Sequence, residues 1–347
     1  MRITTLFMLI AMMSTTGCLQ QRLQQQRSAN RTASGRSTQK AQRQRGSSSR
    51  LSRTHTKRHQ AAQAHSSSRS IPRAAASPMR HEPKIAVRTK GKTVRVPLEQ
   101  YVAGVVASEM PAQWPAAALQ AQAIAARTYA LWQMQQRAAK PYHVQTTVMN
   151  QVYNGSVSSQ SAAAQAAQAT RGVVVTWQGQ LGHTYFHASC GDHTTSSQSV
   201  WGSAIPYLHG VSCTFCAKAG KQYRWSVSID YNSLNKALRT QVRGRIRRVQ
   251  MGKKLPCGRL QSVQLIARQK SELPATKLRQ LLGYNRLPST WITNINNTAT
   301  GVVFSGQGHG HGVGMCQWGA AGMANAGYNA KQIIAHYYPA TQLQRWY

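Results

Sequence analysis

Only six of the 347 residues carry a carboxylate, Glu82, Glu99, Glu109, Asp192, Asp230 and Glu272, against 43 lysines and arginines, for a formal net charge of +37. A fold built from this chain has few acids with which to pair buried cations. A hard-cation site of clustered carboxylates is not expected, and any carboxylate acting as acid or base must be one of the six. Hydrophobic residues make up 41% of the chain, enough for a packed core. No apolar run approaches the roughly 20 residues of a spanning helix, which excludes a multi-pass membrane protein.

Residues 1–18 have the shape of a secretory signal: one charge at Arg2, an apolar stretch from Ile3 to Met13, then small residues to Cys18. Gly17-Cys18 resembles the end of a bacterial lipobox, so Cys18 is the expected acylated N-terminus of a membrane-anchored lipoprotein. Plain signal cleavage is the alternative. Residues 19–81 are a Gln/Ser/Arg-rich basic tether with too few large apolar groups to offset the entropy of ordering, and are expected to be disordered. Such an arm suits an anionic partner or a simple spacer. No zinc-finger, RNP or helix-turn-helix pattern is present, so no specific nucleic-acid partner is expected.

From residue 82 to 347 strands and helices mix without a βαβ rhythm, which predicts an α+β domain. Ile85–Val96 alternates around Lys90-Gly91-Lys92 as a hairpin, and Pro97–Tyr101 opens a short helical piece. Pro115–Arg137, Ala-rich and Gly-free, is the strongest helix. Gln160–Arg171 is a second, ended by Gly172. Val173–Trp177 and Leu181–Phe186 form another hairpin. Arg224–Ile229, Arg247–Met251 and Leu260–Ala267 read as strands, and Ala275–Leu282, Ala320–Ala326 and Ala330–Tyr337 as helices.

Three groups of residues carry chemistry. Glu109 sits in the apolar stretch Val105–Pro111, where lost hydration raises a carboxyl pKa and prepares a general acid. Glycoside hydrolysis usually needs two carboxylates, and Glu99, the nearest in sequence, falls where an exposed helix residue would. Attack by the sugar's own hydroxyl, leaving an anhydro product, needs only one. Capping, or pairing with Arg127, is the structural alternative for Glu109. The second group is Gly306–Gly314, with glycine at every second position and His309 and His311 between; these histidines could contact sugar hydroxyls, ligate a metal or pack beside Glu109. The third is His187-x-x-Cys190 with Cys213-x-x-Cys216, spaced to hold one tetrahedral Zn²⁺, with His193 as an alternative to His187. A disulfide or unlinked thiols fit the same residues, and Cys257 and Cys316 read as lone thiols.

The segments Val96–Pro111 and Ala121–Ala130, then Asn150–Gly155, Gly308–Ala320 and His336–Pro339, resemble in that order the motifs of the stage II sporulation protein D (SpoIID) family, which includes amidase enhancers. The resemblance covers about residues 84–347. It implies a single SpoIID-like domain and a peptidoglycan lytic transglycosylase, cleaving between MurNAc and GlcNAc on strands whose stem peptides an amidase has removed. It puts the catalytic role on Glu109 and makes Arg127, Tyr153, His309, His311 and Gln317 the expected substrate-binding residues. A structural zinc in some members favours zinc at His187, Cys190, Cys213 and Cys216. The expected partners are glycan strands and a cell-wall amidase, with the protein exported and facing the wall. The alternative implied by the same family is a non-enzymatic, wall-binding enhancer of an amidase.

Overall fold

The computed structural model describes residues 79–146, 151–216 and 224–347. The signal segment, Cys18, the tether up to residue 78 and Asn150 lie outside the described residues.

Local chemistry sets the first elements. Strands β1 (Lys84–Thr89) and β2 (Lys92–Pro97) pair antiparallel with Thr89 opposite Lys92. Their two-residue turn, Lys90-Gly91, takes positive φ at both positions, the mirror-image turn that matches strand twist. Pro97, with φ preset for the position, starts α1 (Leu98–Glu109), which runs a full twelve residues rather than the short piece expected. Pro115 likewise precedes α2 (Ala116–Gln136). From Ala118 to Leu131 nearly every α2 residue is buried, as in a helix enclosed on all sides. Its alanines admit close neighbours: α1, α3 (Ala162–Ala169), α7 (Gln317–Asn325) and α8 (Ala330–Tyr337) all pack on it.

Around this bundle lie β3 (Val144–Gln145) beside β1, and a sheet in the order β14-β4-β5 (Gln342–Arg345, Val173–Trp177, Gln180–Leu181). A short parallel pair joins β6 (Phe186–His187) to β13 (Met315–Cys316), bringing together segments 129 positions apart. Helix α4 (Ser197–Trp201) follows β6. A second hydrophobic core runs from Ile229 to Phe304. It lies between the sheet β10-β9-β8 (Lys270–Pro274, Ser262–Ile266, Arg248–Met251), the sheet β11-β12-β7 (Ile292–Asn297, Gly301–Gln307, Arg224–Asp230), and helices α5 (Tyr231–Leu238) and α6 (Ala275–Leu282). The α+β class and a single compact unit agree with the sequence reading, although that unit holds two cores.

One ion pair ties the first core together. Arg127 is fully buried and donates from Nε (2.8 Å) and Nη2 (2.6 Å) to the two carboxylate oxygens of Glu99. Its remaining donors reach the carbonyls of Ala167 and Val173 at 3.0 and 3.1 Å. Glu99 also accepts from the Gly172 N–H and the Tyr347 hydroxyl. The expectation of an exposed Glu99 is therefore corrected. Burial acts to raise its pKa, but the bonds and charge of Arg127, with Tyr347 and Gly172, outweigh that and hold it below the usual carboxylate range.

Because the folded pKa lies below the unfolded value, the pair stabilises fully above ordinary carboxylate pKa values and fades as pH falls through the depressed one. Glu99→Gln strands the Arg127 charge in the core and is expected to cost about 3–5 kcal/mol. Urea unfolding at neutral pH reads this loss, and below pH 4 the difference from the native chain narrows.

Candidate active site and cysteine centre

Glu109, the last residue of α1, is half-buried. Its Oε1 accepts the Val152 N–H (3.1 Å) and its Oε2 accepts from Gln317 Nε2 (3.2 Å). The Gln317 amide also reaches Gln122 Oε1 on α2 at 3.4 Å. The 151–155 segment is pinned over α1 from both sides. Tyr101 donates to Gln151, whose amide donates to the Ala126 carbonyl, and the Asn154 N–H meets the Ser108 hydroxyl. Gly104 leaves room for the Tyr153 ring, which lies on Tyr101 with centroids 5.0 Å apart. Burial raises the Glu109 pKa above the usual carboxylate range, and the bonds from Gln317 and Val152 offset part of the rise.

The other carboxylates are committed elsewhere. Glu99 holds Arg127, Glu82 pairs with Arg171, Asp230 caps α5 and Glu272 bonds Ser262. Asp192 stands in a turn beside Cys216. Glu109 thus has no second acid at its side.

The expected substrate contacts divide. Gln317 meets Glu109. Arg127 does not: its guanidinium is wholly enclosed by Glu99 and backbone carbonyls, so it shapes the core and presents nothing to a ligand. Tyr153, 7% exposed with its ring on Tyr101, is likewise a packing residue. His309 and His311 lie in a different wall. They line a cleft of about 770 Å³ between the two cores, whose aromatic lining includes Trp132, Tyr185, Trp201 and Tyr284 and whose lining holds no acid. His311 Nδ1 accepts the Val313 N–H at 3.0 Å. Burial, helped by the charge of Arg279, pushes its pKa down to about 3, so it works as a neutral ring. Trp201, 46% exposed, stands 5.3 Å from His311 and 4.5 Å from Tyr185 between ring centroids. The sequence reading missed these aromatics because they are scattered over two helices and two loops.

Cleft and carboxylate share a scaffold. Tyr129 and Gln133 in the cleft follow Gln122 by seven and eleven residues on the same face of α2, roughly 10 and 16 Å along the helix axis. Strand β6 lines the cleft, and its partner β13 runs directly into Gln317.

The cysteine centre differs from the expected ligand set. The Sγ atoms of Cys190, Cys213, Cys216 and Cys316 all lie within 4.8 Å of one another, and all four residues are buried. His187 is not among them: its Nδ1 faces the Val313 carbonyl at 3.2 Å. His193 bonds the Thr194 carbonyl instead. The fourth position belongs to Cys316, which had read as a lone packed thiol and which the β6/β13 pairing delivers from the far end of the chain. No described cysteine is in a disulfide.

The donor set fits a metal. A tetrahedral tetrathiolate with metal–sulfur bonds near 2.3 Å has sulfur–sulfur edges of about 3.8 Å, and Cys190 and Cys216 stand 3.6 Å apart. Backbone N–H groups of Cys190 and Gly319 point at Cys316 Sγ (both 3.2 Å), and that of Asp192 at Cys216 Sγ (3.3 Å). Bonds of this kind would orient the sulfurs as ligands. Burial holds the Cys190 and Cys316 thiols well above the ordinary thiol range, while hydrogen bonds from the other three sulfurs pull Cys216 down.

Comparison with known proteins adds to this geometry. Residues 88–177 match the family model for SpoIID, stage II sporulation protein, and residues 211–314 match a domain of unknown function. Stage II sporulation protein D of Bacillus subtilis is 30% identical over 272 residues, covering 74% of this chain and 77% of that protein. The chain belongs to the SpoIID family. An uncharacterized protein of Brachyspira hyodysenteriae is 37% identical, the match spanning 70% of this chain and 65% of that protein. The amidase enhancer of B. subtilis is 28% identical over 69% of this chain and 40% of its own length. The SpoIID model covers Glu109, Val152 and α2, while the second model coincides with the second core.

The geometry separates two ligand sets by experiment. Cys316→Ala is expected to abolish stoichiometric metal retention measured by elemental mass spectrometry, and His187→Gln to leave it intact. The opposite pattern would restore the ligand set read from sequence.

Proposed function

We propose that this protein is a peptidoglycan lytic transglycosylase acting on glycan strands freed of stem peptides. The observation that carries the reading is the solitary, pKa-raised carboxyl group of Glu109, hydrogen-bonded by Gln317 and Val152 with every other acid engaged elsewhere. Protonated Glu109 gives its proton to the glycosidic oxygen while the bond from MurNAc C1 breaks. The resulting carboxylate takes the proton of the MurNAc 6-hydroxyl as O6 bonds to C1. The product is a 1,6-anhydro ring, Glu109 is returned protonated, and no water is consumed. Gln317 is a positioning residue that orients the carboxyl group and favours its anionic form between the two proton transfers.

The strand is proposed to run along α2 from Glu109 into the aromatic cleft, where sugar faces stack on Trp201 and Tyr185. In the cysteine centre zinc is the proposed metal, held by Cys190, Cys213, Cys216 and Cys316. Bound there it would supply structural bracing, since four protein ligands leave no open position. The residues do the rest: Cys316 caps α7 through the Gly319 N–H and so sets the position of the adjoining Gln317. Export to the cell wall, anchored by a lipid on Cys18, belongs to the same proposal.

The reading is tested by mass spectrometry of products from peptide-free glycan strands. Anhydro-MurNAc ends are expected from the native chain, and Glu109→Gln is expected to lower their formation by about 10²- to 10⁴-fold. A relative named as an amidase enhancer favours the second reading. Stimulation of an amidase by the native and Glu109→Gln chains alike, with no glycan product from either, would establish that reading instead.

The rate must fall as pH rises through the Glu109 pKa, because the first step needs the acid form. Gln317→Ala removes a bond that favours the carboxylate, so its pH–rate profile is expected to lose its alkaline limb at higher pH than the native profile, with a lower maximum. Trp201→Ala is expected to raise KM for long strands about 3- to 10-fold, the scale of one lost aromatic stacking contact, and to leave KM for the shortest cleavable fragments unchanged.

A further inference from the structure

Arg259, between β8 and β9, is a buried cation with no acid. It is 0% exposed, and of its guanidinium only Nη2 is bonded, to the Cys190 carbonyl at 2.7 Å. Nε and Nη1 have no hydrogen-bond partner. The Trp291 ring lies 5.5 Å away. None of the six carboxylates pairs with it: Glu82 and Glu99 hold Arg171 and Arg127, and the remaining four are placed above.

The backbone is shaped around this side chain. A Cβ on Gly312 would lie 2.6 Å from the Arg259 guanidinium, and Gly312 takes a positive φ of 84°, so glycine suits the Gly/His segment at this point. Burying an unpaired guanidinium is strongly unfavourable. Its one hydrogen-bond partner is the backbone of Cys190, whose sulfur belongs to the buried cluster of four.

The charge state of the cysteine centre therefore matters. Four thiols are neutral, and two disulfides are neutral. Four thiolates around a divalent metal carry a net charge of −2. Of these three states only the last supplies the anion that the buried arginine lacks among the six carboxylates.

We infer that Arg259 is the fixed counter-charge of a divalent metal–tetrathiolate centre formed by Cys190, Cys213, Cys216 and Cys316, bonded through the Cys190 carbonyl and seated under Gly312. This rests on the proposed metal, and it explains why the second core sends an arginine into the first. Arg259 is a positioning residue for the centre. Its side chain reduces the net charge of centre plus arginine to −1 and brings the β8–β9 loop against the loop that carries His309 and His311.

The test is metal affinity of the full chain, read by competition with a chromophoric zinc chelator and by the thiolate-to-metal absorption of the Co²⁺-substituted protein. One metal per chain with an absorption intensity typical of four sulfur ligands is expected for the native protein. Arg259→Met, which keeps the length and removes the charge, is expected to weaken zinc binding about 10- to 100-fold, the range of outer-shell substitutions. Arg259→Lys, which keeps the charge, is expected to stay much nearer to native affinity. A native chain that binds no metal overturns both the metal and the counter-charge. A native chain that binds one metal with four sulfurs, with Arg259→Met as tight as native, overturns the counter-charge alone. Should Arg259→Met fail to fold, Arg259→Lys decides: folded with metal affinity as poor as Cys316→Ala, it shows that geometry and not charge is at work, and the inference falls.

Discussion

The buried Arg127–Glu99 pair is the interaction on which the rest of the first core depends. It joins α1 to α2 and, through the Ala167, Gly172 and Val173 backbone and the Tyr347 hydroxyl, fastens α3, β4 and the C-terminal residue to both. Burying two charges is stabilising only when every donor and lone pair is met, and here the fork of the guanidinium is filled. The consequence for chemistry is indirect. By taking Arg127 out of reach, the pair leaves Glu109 at the other end of α1 without a cation, and burial can then raise its pKa. Two glutamates separated by a few turns of helix thus sit in opposite states, Glu99 held below the usual carboxylate range by Arg127 and Glu109 raised above it by burial.

Scarcity of acids gives this arrangement its economy. With six carboxylates in 347 residues, pairing one cation removes that acid from everything else. A hydrolytic pair of carboxylates has no members to draw on near Glu109, and the buried cation at Arg259 has no carboxylate partner. The Gly/His segment connects the two demands. Gly310 and Gly312 lie against His187 and Arg259 with no room for a Cβ, while the histidines between the glycines face the aromatic cleft.

Much of the fold was legible because its signals were local. Lys90-Gly91 and Gln178-Gly179 supply positive φ where hairpins turn, Pro97 and Pro115 start helices, and Ala275–Leu282 carries its helical period openly. The missed elements lack such signals. Strand β11, Ile-Thr-Asn-Ile-Asn-Asn, is mostly polar, and β12 is bounded and interrupted by glycine; they are strands because they pair with each other and with β7. Glu109 could be read from its apolar neighbours. The partner of Arg127 could not, since Glu99 sits 28 positions away at a helix start that looks solvent-facing. Cys316 escaped for the same reason: its neighbours in sequence say small packed residue, and only the parallel β6/β13 pairing sets its sulfur beside Cys190. Spacing motifs find cysteines that arrive in pairs, and this one arrives alone.

The central claim is that one carboxyl group, and no water, cleaves the glycan. The most direct measurement is to run the reaction in ¹⁸O-labelled water and read the label in the products. Products free of ¹⁸O, with the mass of an unhydrated anhydro-sugar end, are what a solitary Glu109 predicts. One ¹⁸O at the new C1 end would mean that water attacked, and that a second acid or base stands beside Glu109 where this structure places none.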